Sequence, residues 1–111
     1  MQQEKFIYNV TVNFEEEIHD EWLIWIKEHI PQVLGTGKFE KATLTKVLVE
    51  DKIEGHTYSI QYTSSSREAL DAYYKEDADR LRAEATKKFA NKMLSFRTEL
   101  QIVNEYHVTF K

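Results

Sequence analysis

The sequence predicts an α+β fold with its elements in the order β-α-β-β-α-β, and three observations carry that prediction. Residues 5–14 (KFIYNVTVNF) and 57–63 (TYSIQYT) alternate apolar and polar side chains with the period of two that a strand imposes. Two longer stretches, 16–30 and 65–96, place apolar residues three and four apart, which is the spacing of a helix face. Between them lies a β-branched segment, 39–50, and the chain closes on a further alternating run, 98–110.

In the first strand Phe6, Tyr8, Val10, Val12 and Phe14 share one face, and Asn9, Thr11 and Asn13 share the other. Asn13 followed by Glu16 has the form of a capping box, and Glu15, Glu16 and Glu17 suit the positive end of a helix dipole, so a helix is expected to begin there. Its stripe runs through Ile18, Trp22, Trp25, Ile26 and His29, while Leu23, Ile24 and Ile30 widen it enough to suggest cover on two sides. Pro31 lacks an N–H and disfavours helical backbone at Ile30, so the helix is expected to end or kink at that point. The glycine-rich GTGK that follows is not a phosphate loop, because such a loop follows a strand and precedes a helix, and here the context is reversed. Gly35 and Gly37 read as left-handed residues of a helix end and turn.

Residues 39–50 form the expected second strand, EDKIEGH (50–56) the hairpin turn, and 57–63 the third strand. Ser65 with Glu68 makes a second capping box, after which Leu70, Tyr74, Ala78, Leu81, Ala85, Phe89, Met93 and Phe96 step along one helix. Unbroken, it would run roughly 45 Å at 1.5 Å per residue, so a bend is expected between Lys75 and Asp79. Its acidic front and basic back suit the dipole and suggest Glu76–Arg80 and Arg80–Glu84 pairs on a solvated face. The whole order is the split βαβ, ferredoxin-like arrangement: first and third strands central in a four-stranded antiparallel sheet, helices on one face.

Composition sets the outer bounds. A chain of 111 residues suits a single domain spanning 1–111, and 41% hydrophobic with 31% charged residues suits a packed globule. The absence of cysteine excludes disulfides, thiolate metal sites and a cysteine nucleophile, and it fits a reducing, cytoplasmic setting. No apolar run has the length of a signal sequence or a membrane span, so no membrane partner is expected. A formal charge of −4 argues against nucleic acid as a partner.

Pairing the central strands makes Asn9, Thr11, Ser59 and Gln61 neighbours. That patch is either a solvated sheet face or the lining of a cavity, in which amides orient a carbonyl-bearing or phenolic ligand and Trp22, Trp25, Tyr58, Tyr62 and Tyr73 supply walls. His19, His29, His56 and His107 show no ligand spacing, so no metal is expected. His29 near a helix C-terminus suits a charged capping role, with proton transfer as the alternative. Arg97 is the cation placed to grip an anion or carbonyl or to make a structural pair. The candidate ligand-binding set is therefore Asn9, Trp25, His29, Gln61, Tyr73 and Arg97, with no nucleophile motif, no catalytic assignment and no cofactor expected.

The stretches IYNVTVN (7–13), DEWLIWIKEHIP (20–31), TGKF (36–39), YSIQY (58–62), ADRLRAEATKKF (78–89) and FRTEL (96–100) resemble a bacterial family of unknown function within the dimeric α+β barrel superfamily, to which antibiotic-biosynthesis-type monooxygenases also belong. The resemblance implies a homodimer in which two sheets face each other as a dimeric α+β barrel. It implies no activity of itself. The haem-degrading enzymes of that superfamily use a first-strand asparagine, a tryptophan and a haem-ligating histidine on the second helix. Asn9 matches the first and Tyr73 stands near the second, but Ala83, Glu84 and Ala85 occupy the histidine's neighbourhood, so haem chemistry is not implied. Three readings stay open: a homodimeric small-molecule-binding domain; a cofactor-independent monooxygenase or isomerase acting on a small aromatic or quinone-like compound through Asn9, Gln61, Tyr73 and His29; and a structural or protein-interaction module without a ligand site.

Overall fold

The computed structural model describes residues 4–48 and 55–109. Strand β1 spans Lys5–Phe14, helix α1 His19–Leu34, β2 Lys41–Lys46, β3 His56–Ser64, α2 Arg67–Glu76, α3 Ala78–Phe89 and β4 Met93–Ile102, with single 3₁₀ turns at Glu16–Ile18 and Ala90–Lys92. The four strands form one antiparallel sheet in the order β2-β3-β1-β4. The ferredoxin-like α+β fold is thus the observed one, with the first and third strands at the centre. Register pairs Asn9 with Gln61 and Thr11 with Ser59, as the alternation requires.

Alternation also decides which face the helices cover. Phe6, Tyr8, Val12 and Phe14 of β1 and Tyr58, Ile60 and Tyr62 of β3 are buried against Trp22, Ile26 and Val33 of α1, Leu70 and Tyr73 of α2, and Ala78, Leu81 and Phe89 of α3. Among the described residues the opposite face carries no helix. On it β4 leaves Leu94, Phe96 and Leu100 64%, 61% and 41% exposed. On α1, Leu23 and Ile30 pack half-buried against the core, whereas Ile24 stays exposed, so the helix is covered on one broad side rather than two.

Several local expectations are corrected. Asn13 does not cap α1: its amide donates to Thr57 Oγ1 at 2.9 Å and to the His56 carbonyl at 3.3 Å, a cross-strand use that the sheet offers and the helix cannot match. Pro31 does not end α1, which runs on to Leu34. A proline in the last turn forfeits a single hydrogen bond, and buried Val33, two residues on, holds the turn in place. Gly35 is helical at φ −63°, and of the two glycines of GTGK it is Gly37, at φ 80°, that needs the left-handed region. The second helix is capped by Ser66, whose hydroxyl accepts from the Ala69 N–H at 3.1 Å, not by Ser65.

The expected bend falls at Asp77, where the helix divides into α2 and α3. Asp77 is held there by Lys38 Nζ at 3.0 Å and by Arg80 at 3.1 Å, so Arg80 pairs with Asp77 rather than with Glu76 or Glu84. The lysine of GTGK is therefore an anchor for the helix break. Helix α3 stops at Phe89, and Met93 and Phe96 belong to β4, which starts five residues before its expected position and ends at Ile102. Their three-residue spacing mimics a helix, but the β1 register places Met93 toward the core and Phe96 away from it. The expected second strand shortens to Lys41–Lys46, and the hairpin turn falls largely outside the described residues.

One glycine of that turn is described: Gly55 has φ 90°, and a Cβ placed on it would lie 2.3 Å from the Phe14 carbonyl oxygen. Gly37 has open space around the same position. Gly55→Ala is expected to lower stability by about 3 kcal/mol, adding overpacking to backbone strain, and Gly37→Ala by about 1–2 kcal/mol from the backbone alone. Urea unfolding of both variants checks this; equal losses would contradict the close approach.

Candidate functional site

A cavity of about 60 Å³ lies between the helix-covered face of the sheet and α1 and α3. Its walls are mostly apolar, from Val10, Val12, Ile26, Val33, Ile60 and Leu81. Its polar groups come from six elements: Tyr8 on β1, Trp22, Trp25 and His29 on α1, Tyr62 on β3, Tyr73 on α2, Arg82 on α3, and Ser95 and Arg97 on β4. Spacing brings the helical ones together. Trp22, Trp25, Ile26, His29 and Val33 share one face of α1, and Arg82 falls on the stripe of Ala78 and Ala85 on α3.

Tyr8 organises the polar end. Its ring is 2% exposed and packs against Phe39, Tyr62, Tyr73 and Tyr74 at centroid distances of 6.1, 6.1, 5.5 and 5.6 Å. Its phenol oxygen accepts from an Arg82 guanidinium nitrogen at 2.9 Å and from Arg97 Nε at 3.0 Å. Both lone pairs of the oxygen are thereby used, and its own proton stays available to donate. Burial pushes the Tyr73 hydroxyl up to about 12 and raises the Tyr62 hydroxyl as well, so both are neutral donors near neutral pH rather than bases.

Among the described residues, three buried polar atoms have no hydrogen-bond partner: Trp22 Nε1, His29 Nδ1 and Arg82 Nε. All three residues line this one cavity. A buried polar group left unpaired costs about 1–3 kcal/mol, so such a cluster in one place carries a concentrated local cost in stability. Trp22 is wholly buried between Phe14 and Tyr58, at 4.6 and 5.2 Å. His29 stacks on Trp25 at 4.4 Å, and its Nδ1 is 3.6 Å from Glu84 Oε2, beyond hydrogen-bond reach.

Of the residues singled out in the sequence, Trp25, His29, Tyr73 and Arg97 meet at this cavity. Asn9 and Gln61 lie on the opposite face of the sheet. There Ser59 Oγ donates to Asn9 Oδ1 at 2.6 Å and the Asn9 amide to Thr11 Oγ1 at 3.1 Å. Gln61 borders a separate depression of about 300 Å³ with Lys5, Ile7 and Thr43. Tyr8 and Arg82 are the residues that sequence reasoning missed. The signal for Arg82 was its place in the helical stripe, and for Tyr8 its place on the core face of the central strand. His29 is also corrected: it stands inside α1, and burial lowers its pKa against the opposing pull of Glu84, so the neutral imidazole is favoured over a charged cap.

His19 and His56, far apart in sequence, stack with ring centroids 3.6 Å apart, and with Glu16 they bring ligand-type atoms within 4.8 Å of one another. His19 Nε2 meets Tyr58 Oη at 2.8 Å, and His56 Nε2 meets the Glu16 carboxylate. Stacked rings hold their in-plane lone pairs in separate planes, so the two imidazoles do not converge on a single ion as they stand.

Residues 5–103 match the family described as Domain of unknown function (DUF4286). The chain belongs to that family. No curated protein sequence matches it. Among solved structures it is similar to a dimeric ferredoxin-like protein from an uncultured marine organism, with a TM-score of 0.72 at 15% identity, covering 94% of this chain and 100% of that one. It is also similar to a conserved protein of unknown function from Bacteroides thetaiotaomicron, described as a possible oxidoreductase, with a TM-score of 0.64, 15% identity, and 91% and 99% coverage. A third similar structure is SnoaB, a cofactor-independent oxygenase from Streptomyces nogalater, with a TM-score of 0.63, 12% identity, and 90% and 95% coverage. At these identities the likeness establishes the DUF4286 chain's fold and no more.

The His29 environment gives a signed pH effect. With its folded pKa below 6.5, the unfolded state takes up a proton first as pH falls, so this group's contribution is intact above 6.5 and is lost between 6.5 and the folded pKa. The His29 ring protons in an NMR titration are expected to show a midpoint below 6.5, and His29→Gln to flatten the stability slope in that window. A midpoint above 6.5 would reinstate the charged reading.

Proposed function

We propose that this DUF4286 chain is a homodimeric small-molecule-binding domain whose ligand sits in the cavity beneath α1 and α3. The observation that supports it above all is the coincidence of three unpartnered buried polar atoms on the wall of one cavity. Two of them, Trp22 Nε1 and Arg82 Nε, can only donate, and the Tyr8 and Tyr73 hydroxyls add further donors. The ligand is therefore an acceptor, carrying carbonyl, enolate or carboxylate oxygens. At about 60 Å³ the space is less than half of the roughly 150 Å³ that admits benzene, so an aromatic ligand enters only if a wall such as Trp25 or Arg97 shifts.

A panel of small ketones, acids, amides and quinols is expected to contain compounds that raise Tm by about 10 °C when present near 100 Kd. Ala85→Leu, which fills the cavity from its wall, is expected to abolish that rise while the protein stays folded. Silence across the panel would leave the structural or protein-interaction reading.

A second reading, a cofactor-independent monooxygenase or isomerase for a small aromatic or quinone-like compound, is favoured by His29. A neutral imidazole can take a proton, and the donors opposite can hold the oxyanion that forms. SnoaB shares the fold. Oxygen uptake or isomerisation of any panel compound, lost in His29→Gln, separates catalysis from binding.

The homodimer is supported by the helix-free sheet face, where Leu94, Phe96 and Leu100 stand exposed in a row, and by the dimeric marine protein of the same fold. Light scattering at micromolar concentration is expected to give twice the chain mass, and Phe96→Asp to give the monomer. A monomeric parent protein would overturn the dimer.

A further inference from the structure

The charges around the cavity do not balance, and the imbalance narrows the ligand's class. Among the described residues, Arg82 and Arg97 are its two guanidiniums, and no aspartate or glutamate lines it. Among the described residues neither arginine makes an ion pair, although ten such pairs form elsewhere. Nearby carboxylates are engaged by other groups. Glu99 takes Arg67 at 2.8 Å and the Tyr74 hydroxyl, Asp77 takes Lys38 and Arg80, and Glu84 faces His29. What the two guanidiniums share instead is one phenol oxygen, that of Tyr8. Arg82 also lies 5.9 Å from the Tyr8 and Tyr74 ring centroids, a contact that steadies a cation without neutralising it.

Resting on the binding reading above, we infer that the polar end of the cavity is a receptor for the carboxylate of a small organic acid, clamped by Arg82 and Arg97 with Tyr8 holding the two guanidiniums in place. A planar carboxylate matches the fork of a guanidinium, and a single negative charge suits a site whose remaining walls are apolar. Tyr8 fixes one nitrogen of each arginine, leaving the others and the orphaned Arg82 Nε for the ligand. The small volume calls for a body of few carbons, lying against Val10, Ile60 and Leu81. The acid's charge supplies the counter-ion that the chain itself withholds.

The test is calorimetric titration at fixed ionic strength with propionate, pyruvate and benzoate, each beside its amide, and with inorganic phosphate as a further arm. The expected result is that at least one acid binds while its amide and phosphate do not. Arg97→Gln, at an exposed position that does not threaten the fold, should then weaken the acid on the order of tenfold or more, as loss of a charged hydrogen bond requires. Arg82→Gln should do the same, with circular dichroism reporting whether it is folded. Acid and amide binding alike would overturn the carboxylate receptor and leave the binding reading standing. Phosphate binding as well as the acids would reduce the clamp to a general anion patch and overturn it too. Retained acid affinity in Arg97→Gln would show that the clamp is elsewhere. No binding by acids or amides would overturn the inference, and the Ala85→Leu comparison with the wider panel then reports separately on whether the cavity binds anything.

Discussion

The constraint on which the rest of the molecule depends is the burial of a tyrosine hydroxyl in the middle of the central strand. Tyr8 cannot be moved toward water without taking β1 out of the sheet, and a buried phenol oxygen must find partners. It finds them 74 and 89 residues away, in Arg82 and Arg97. The Arg82 bond ties α3 to the sheet centre, and the Arg97 bond reaches to β4, which its pairing with β1 already holds in place. In surroundings of low polarity such bonds are stronger than they would be in water, and each polarises the others.

This arrangement is costly. Each orphaned donor forfeits about 1–3 kcal/mol, against a total stability that for domains of this kind is about 5–15 kcal/mol. The polar atoms in this otherwise apolar wall are the groups that the proposed ligand would engage, local stability being given up for that recognition.

How far the sequence reveals this varies by element. The fold is legible because alternation and helical spacing survive in nearly every element, and register follows once β1 and β3 are paired. Asn9 opposite Gln61 could be read without coordinates. The face on which the site lies could not, because alternation says which residues share a side but not which side the helices choose to cover. Asn9 and Gln61 look like ligand-binding residues in a list, yet Ser59 and Thr11 satisfy Asn9 within the sheet. Arg82 is hidden for a related reason: among the many charges of α3 it resembles any solvated arginine, and only its partner on a distant strand distinguishes it. Met93 and Phe96 mislead because a three-residue step fits a helix as well as it fits two faces of a strand.

Strand β4 shows what this economy implies. Its odd residues, Met93, Ser95 and Arg97, line the cavity, and its even residues, Leu94, Phe96 and Leu100, form the bare outer face. Ten residues thus serve two surfaces with almost no position left idle. Because the period is two, gain or loss of a single residue within the strand would not weaken one surface while sparing the other; it would exchange them, turning an arginine outward and a phenylalanine in. The length of this strand is therefore under tighter restraint than its composition, and drift in this chain has room in its loops and none there.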